Sequence, residues 1–304
     1  MVDYTALSEE VRQLAATRGA LIIAHNYQRA EVQEVADFVG DSLGLSRQAA
    51  ETDAELIVFA GVHFMAETAK ILSPNKTVLM PEPRAGCPMA DMITGEALAS
   101  WKAENPGVPI VTYVNSSAEV KAESDICVTS ANAVAVVRSL GVDRILFAPD
   151  KNLGSWVARS LPDVEVEFWE GWCPTHDDVT SEQVAAARAA HPAAAVIAHP
   201  ECRPDVVDLA DAVLSTSQML AYAAASDAEE IIVVTEAGLI HALAKAAPGK
   251  RFLELSPHML CPNMKLTTLR KVRDCLADLT GEVVVPEDIR VRALGAVQRM
   301  VAIG

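Results

Sequence analysis

Three Cys-Pro pairs divide this chain almost evenly: Cys87-Pro88, Cys173-Pro174 and Cys261-Pro262, 86 and 88 residues apart. A period that long repeats a whole supersecondary unit rather than a turn or a single helix. Other features keep the same period. The apolar strand LIIAHNY (21–27) aligns with IVTYVN (110–115) and VIAHPE (196–201). His25, Tyr113 and His199 then share one position, and two residues on stand Tyr27, Asn115 and Glu201. A second strand follows in each unit. It aligns Asp37, Asp125 and Asp211, with Ser42, Ser130 and Thr216 five residues later. A third strand reads LIVFAG, ILFAPD and IIVVTE, and a fourth precedes each Cys-Pro.

Segments of helical composition lie between the strands: SRQAAETD, ANAVAVVRSLG and SQMLAYAAAS, each after small polar residues suited to a helix start. Strand and helix in alternation predict a parallel sheet covered on both faces. The fold class is therefore α/β, with three homologous three-layer αβα units around a pseudo-threefold axis. The first unit spans 1–87 together with 262–304, whose two helices are expected to pack back on it. The second spans 88–173 and the third 174–261. Three separate domains in a row would also repeat, but such an array has no need of a cysteine at one position in every unit. In parallel sheets ligands collect beyond the carboxyl ends of the strands. The aligned polar residues and the three cysteines all sit at such ends, so one shared cavity would gather them.

A formal charge of −16 disfavours nucleic acid and anionic membrane surfaces, though not a small anionic substrate in a locally positive pocket. No apolar run approaches the roughly 20 residues of a membrane span. The start, MVDYTALSEEV, has no basic and apolar leader pattern. These features lead us to expect a soluble, cytoplasmic protein with no nucleic-acid or membrane partner. Six cysteines spread over 304 residues do not suggest a disulfide framework in that setting.

Three converging thiolates can hold Zn²⁺ with one open position, or three irons of a [4Fe-4S] cluster with the fourth iron free. Soft ligands about 86 residues apart, with no fourth equivalent cysteine, favour the cluster. Its open iron would act as a Lewis acid on a hydroxyl or carboxylate. Cys127, Cys202 and Cys275 read as buried small hydrophobes. His25 and His199 share a repeat position, and His176 follows Cys173 in WCPTH. Glu201 ends an apolar strand, where burial is expected to raise its pKa into the range of a working acid or base. Tyr27 and Tyr113 bring phenols. Ser42, Ser130, Ser215 and Thr216 stand where the second strands turn into helices. There hydroxyls and free backbone N–H groups bind carboxylate or phosphate, or serve only as N-caps. Neither GxxxxGKS nor GxGxxG occurs, so no nucleotide cofactor is implied.

Taken together, AHNYQ with GDSLGLS, CPMADM, TYVNSSAEVKAESDICVTSANA, FAPDKNLG, WEGWCPTH, AHPEC, STSQM and CPNMK resemble the quinolinate synthase family over essentially the whole chain. The resemblance implies an oxygen-sensitive [4Fe-4S] cluster held by Cys87, Cys173 and Cys261, with one open iron site. It implies condensation of iminoaspartate with dihydroxyacetone phosphate to quinolinate, phosphate and water in NAD biosynthesis. A functional link to an L-aspartate-oxidising enzyme goes with it. His25, Ser42, Tyr113, Asn115, Ser130, Ser215 and Thr216 would hold substrate carboxylates or phosphate. Tyr27, His176, His199 and Glu201 would move protons. Three other readings remain at this point: another [4Fe-4S] hydro-lyase acting on a hydroxy-acid, a non-enzymatic iron–sulfur sensor, and a structural zinc protein.

Overall fold

A computed structural model describes residues 4–303. The first unit runs α1 (Tyr4–Arg18), β1 (Ala20–His25), α2 (Ala30–Gln33), β2 (Phe38–Gly40), α3 (Ser42–Glu51), β3 (Leu56–Ala60), α4 (His63–Leu72) and β4 (Thr77–Leu79). The second runs α5 (Gly95–Glu104), β5 (Ile110–Tyr113), α6 (Ala118–Glu123), β6 (Ile126–Val128), α7 (Ala133–Leu140), β7 (Arg144–Ala148), α8 (Lys151–Ser160) and β8 (Glu165–Phe168). In the third, α9 (Pro174–Asp177) and α10 (Ser181–Ala190) precede β9 (Ala195–Ala198), α11 (Pro204–Val207), β10 (Ala212–Val213), α12 (Thr216–Ala225), β11 (Glu230–Val234), α13 (Leu239–Ala246) and β12 (Arg251–Glu254). Helices α14 (Leu269–Asp278) and α15 (Glu287–Ala302) close the chain.

Each unit carries a four-stranded, wholly parallel sheet with one order: β2-β1-β3-β4, β6-β5-β7-β8 and β10-β9-β11-β12. The α/β class with three αβα units thus stands as the repeat predicts. One repeated contact explains the aligned aspartates. Asp37, Asp125 and Asp211 each accept the backbone N–H at or near the start of the unit's first strand, from Ile22 at 2.8 Å, Ile110 at 2.8 Å and Val196 at 2.7 Å. Each carboxylate pins the second strand beside the first, so its conserved place in the period is structural.

Strand residues alternate faces, and here both faces are buried. Ile23, Ile57 and Phe59 of the first sheet, Val111, Ile145 and Phe147 of the second, and Ile197, Ile231 and Val233 of the third all enter one central core. Their neighbours enter three outer cores: Ile22 and Val58 in one, Ile110 and Leu146 in another, Val196 and Ile232 in the third. A shared centre excludes three independent domains in a row. Helix α14 packs against α1 and the first sheet, while α15 lies on α6 and β6 of the second unit as well as on α4. Ala293, Ala296, Val297 and Met300 of α15 are buried in the central core. No helix among the described residues is long and apolar enough to cross a membrane.

Candidate active site at the meeting of three units

The carboxyl ends of the three sheets face one cavity with about 630 Å³ of atom-free space, part of it at an open mouth. Its wall contains Cys87, Cys173 and Cys261 together with His25, Tyr27, Ser42, Tyr113, Asn115, Ser130, His176, His199, Glu201 and Thr216. Of the residues expected from the sequence, Ser215 alone is not in the wall. Its hydroxyl accepts from Gln218 N at 3.4 Å, and the Gln218 side chain accepts from Ser215 N at 2.9 Å. That is a capping box at the start of α12. The cap leaves Thr216, the first helical residue, to reach the cavity. Ser42 stands equivalently behind the N-cap Asp41, whose carboxylate accepts from Gly44 N at 2.9 Å. Ser130 differs: α7 begins only at Ala133, so Ser130 sits in the turn before the helix.

Glu201 is the electrostatic centre. Its Oε2 lies 2.9 Å from His176 Nδ1 and 3.2 Å from His199 Nδ1. Asn115 Nδ2 reaches Oε1 at 3.5 Å, and the Tyr113 phenol is a further hydrogen-bond partner. Burial alone would raise this carboxyl, as the sequence led us to expect. The two imidazoles outweigh burial and hold it below the usual carboxylate range. The correction follows from two neighbours that a strand-end glutamate does not advertise. Burial pushes His25 down to about 3, so its ring is neutral. Tyr27 N donates to His25 Nδ1 at 3.1 Å, which leaves the proton on Nε2. Burial, helped by Glu201, raises both Tyr27 and Tyr113 well above the ordinary phenol value. Asn115 Oδ1 is buried in the wall without a partner, a vacancy that a ligand's donor would fill.

The sequence did not single out Thr235, Glu236 or Lys265. Thr235 and Glu236 follow β11 where the other units have Ala60-Gly61 and Pro149-Asp150; that break in the repeat was the available signal. Glu236 lines the cavity and is fully buried. It pairs with Lys265 at 2.9 Å and accepts from Gly238 N at 2.7 Å and Cys261 N at 3.1 Å. Lys265 Nζ also donates to the Tyr27 carbonyl. A Cβ on Gly238 would fall 2.6 Å from Lys265 Nζ and 2.7 Å from the Tyr27 oxygen, so this knot requires glycine. Lys265→Met would leave a buried carboxylate unpaired. We expect it to lower stability by about 3 kcal/mol, read as a drop in the denaturant midpoint; an unchanged midpoint would remove the pair from the stabilising contacts.

Three thiols in one cavity are a soft donor set for a metal group. Burial pushes the Cys87 thiol up to about 12 and raises Cys173 and Cys261, so a positive group is needed to hold them as thiolates. Backbone N–H groups of Met89 and Ala90 donate to the Cys87 sulfur, and those of Asn263 and Met264 to the Cys261 sulfur. The turns after Cys87-Pro88 and Cys261-Pro262 supply these donors, which would stabilise metal-bound sulfur. At Cys173 the neighbour is His176 Nδ1, 3.2 Å away. Thiolates on a single Zn²⁺ would lie about 3.8 Å apart. Among the described residues the one group compact enough for a single ion, within 4.8 Å, is Cys173, His176 and Glu201; the three cysteines do not form one. They line one cavity without meeting that compactness.

The family model for "Quinolinate synthetase A protein" matches residues 9–302. The chain belongs to the quinolinate synthetase A family. It is 55% identical over 297 residues to a quinolinate synthase of Dehalococcoides mccartyi, covering 98% of each chain. A quinolinate synthase of Geobacter metallireducens is likewise 55% identical, over 98% of this chain and 97% of its own. One of Thermodesulfovibrio yellowstonii is 52% identical over 303 residues, 100% of this chain and 99% of its own. Members of the quinolinate synthetase A family therefore match this chain through all three units and the C-terminal helices, not through a single motif.

Proposed function

We propose that this chain condenses iminoaspartate with dihydroxyacetone phosphate to quinolinate, releasing phosphate and water, in the biosynthesis of NAD. The observation that carries the reading is one cavity built from matching strand ends of three units. It holds three thiols, a carboxylate between two imidazoles, two phenols and a row of hydroxyls. Cys87, Cys173 and Cys261 would hold a [4Fe-4S] cluster with one open iron; when bound it supplies a Lewis acid. We divide the units at each Cys-Pro, so that every unit contributes one ligand from its last turn.

The protein's own groups fit the remaining work. Ser42, Ser130 and Thr216, with backbone donors at the starts of α3 and α12, orient carboxylates or phosphate. The Nε2–H of His25 and the amide of Asn115 add neutral donors and acceptors without bringing a competing charge. Glu201, ionised between two rings, is a weak base that holds and orients His176 and His199, and the three together form a path for proton transfer. Tyr27 and Tyr113 stay protonated and serve as hydrogen-bond donors at the wall. Burial of the cavity protects a hydrolysable imine from water.

Iminoaspartate would come from an L-aspartate-oxidising enzyme. We place the chain in the cytoplasm, where reducing conditions keep its six free cysteines available. Under strict exclusion of oxygen, iron-loaded protein is expected to form quinolinate only when both substrates are present. Turnover of a hydroxy-acid without dihydroxyacetone phosphate would favour a different hydro-lyase. Stoichiometric zinc in place of iron and sulfide would end the cluster assignment.

A further inference from the structure

Two of the three aligned hydroxyls are met by a side chain from another unit. Thr216, the first residue of α12 in the third unit, accepts from the side-chain amide of Asn26 in the first, Nδ2 to Oγ1 at 2.9 Å. Ser130 of the second unit lies 3.2 Å from His199 Nε2 of the third. Asn26 follows the strand end at which His25, Tyr113 and His199 align. The equivalent places hold Val114 and Pro200, which carry no side-chain donor, so the repeat itself does not call for asparagine.

Asn26 is held in place for this contact. Its backbone N–H donates to the Gly40 carbonyl at 3.0 Å, and its own carbonyl accepts from Gln33 Nε2 at 3.1 Å. Gln33 Nε2 also lies 3.0 Å from the Gly238 carbonyl of the third unit, which ties the two units together beside the contact. The Asn26 side chain is fully buried and stands behind the cavity wall, whereas Thr216 is part of the wall. Asn26 Oδ1 has no partner, so among the described residues Thr216 is the one hydrogen-bond partner of this side chain. A buried amide with one of its two polar atoms unsatisfied is a costly way to join two units, and a leucine would fill the space without that cost. The contact is explained by what it does to Thr216. A hydroxyl has one proton. With an N–H aimed at its oxygen, that proton cannot point at Asn26, and no group among the described residues accepts it.

We propose that Asn26 is a positioning residue: its amide occupies the acceptor side of the Thr216 hydroxyl and so commits the Thr216 proton to an anionic oxygen in the cavity. The ligand group is a carboxylate or a phosphate, both of which accept such a bond. The inference rests on the anion-binding role proposed for Thr216 and extends it to a residue outside the wall. An amide turned the other way would take the Thr216 proton for itself, and removing it would then strengthen anion binding.

The test uses Asn26→Leu, Thr216→Val and the double variant in iron-loaded full-length protein, with kcat and both KM values measured. Each single substitution is expected to raise the same KM about 10–100-fold, the range of a hydrogen bond to a charged group, and to hold kcat within about threefold. A higher KM for iminoaspartate identifies a carboxylate, and one for dihydroxyacetone phosphate identifies a phosphate. The double variant is expected to match Thr216→Val, because Asn26 acts through that hydroxyl alone. Calorimetric titration with quinolinate and with inorganic phosphate gives a readout that needs no turnover: affinity for one of them should fall by a similar factor in both single variants. Parental affinity in Asn26→Leu, with or without a lower thermal midpoint, would reduce the contact to a join between units and overturn the proposal. Tighter binding in Asn26→Leu, or losses that multiply in the double variant, would overturn it as well. If leucine prevents folding, Asn26→Ala takes its place with the same expected outcomes, and parental affinity in Thr216→Val overturns the proposal on its own. A parent that binds neither anion would also overturn it. A parent that forms no quinolinate, yet binds one of the anions and loses it in both variants, would count against the function and not against the placement of Asn26.

Discussion

Each of Cys87→Ser, Cys173→Ser and Cys261→Ser is expected to leave a folded, colourless protein with no turnover, whereas Cys202→Ala stays brown. The three sulfurs line the shared cavity, and two of them receive backbone N–H donors from the turns that follow. A serine hydroxyl is a hard, weakly acidic ligand, poorly matched to iron in a sulfide cluster. Losing a direct ligand should exceed the roughly 10–100-fold effects known for changes one shell further out. Cys202 is instead packed in the outer core of the third unit, with its thiol 3.6 Å from the Val234 carbonyl. Iron and sulfide content and the visible spectrum, taken without oxygen, decide the matter. Full iron in Cys173→Ser, or a colourless but folded Cys202→Ala, would contradict the ligand assignment.

The second large effect is expected at Glu201→Gln: iron content near parental, with kcat reduced on the order of 10²–10⁴-fold. Glutamine preserves volume, so the cavity wall and the strand end should hold. It cannot carry the charge that two imidazoles face at 2.9 and 3.2 Å. With its carbonyl where Oε2 now stands, its NH2 would face the Asn115 amide donor, and the neutral carbonyl would orient both histidines more weakly. Single-turnover and steady-state rates on protein of matched iron content separate this from cluster loss. Near-normal turnover would remove Glu201 from the chemistry.

Long-period features were readable because they are encoded at single positions. The aligned aspartates, the strand ends and the Cys-Pro pairs repeat without reference to partners, and the structure brings their products to one place. Readings that depended on a partner were harder to make. Ser215 has the composition of an anion site, but a glutamine three residues on turns it into a cap. The direction in which Glu201 shifts depends on His176, which lies outside its own strand and 25 residues earlier. Glu236 and Lys265 are 29 residues apart, and no periodicity links them. The sequence leads to helix α15 packing back on the first unit; that it rests on the second unit as well depends on which apolar surface the other helices leave uncovered.

The common interior onto which all three sheets turn one face has a consequence for biosynthesis on the ribosome. Until the last third of the polypeptide has emerged, the apolar faces of the first two sheets lack the third that completes their common core. On the proposed ligand set, the niche for iron would likewise be incomplete until Cys261 is in place. Metal loading would then follow synthesis of the whole chain, and a product truncated before the third unit would be both sticky and inert.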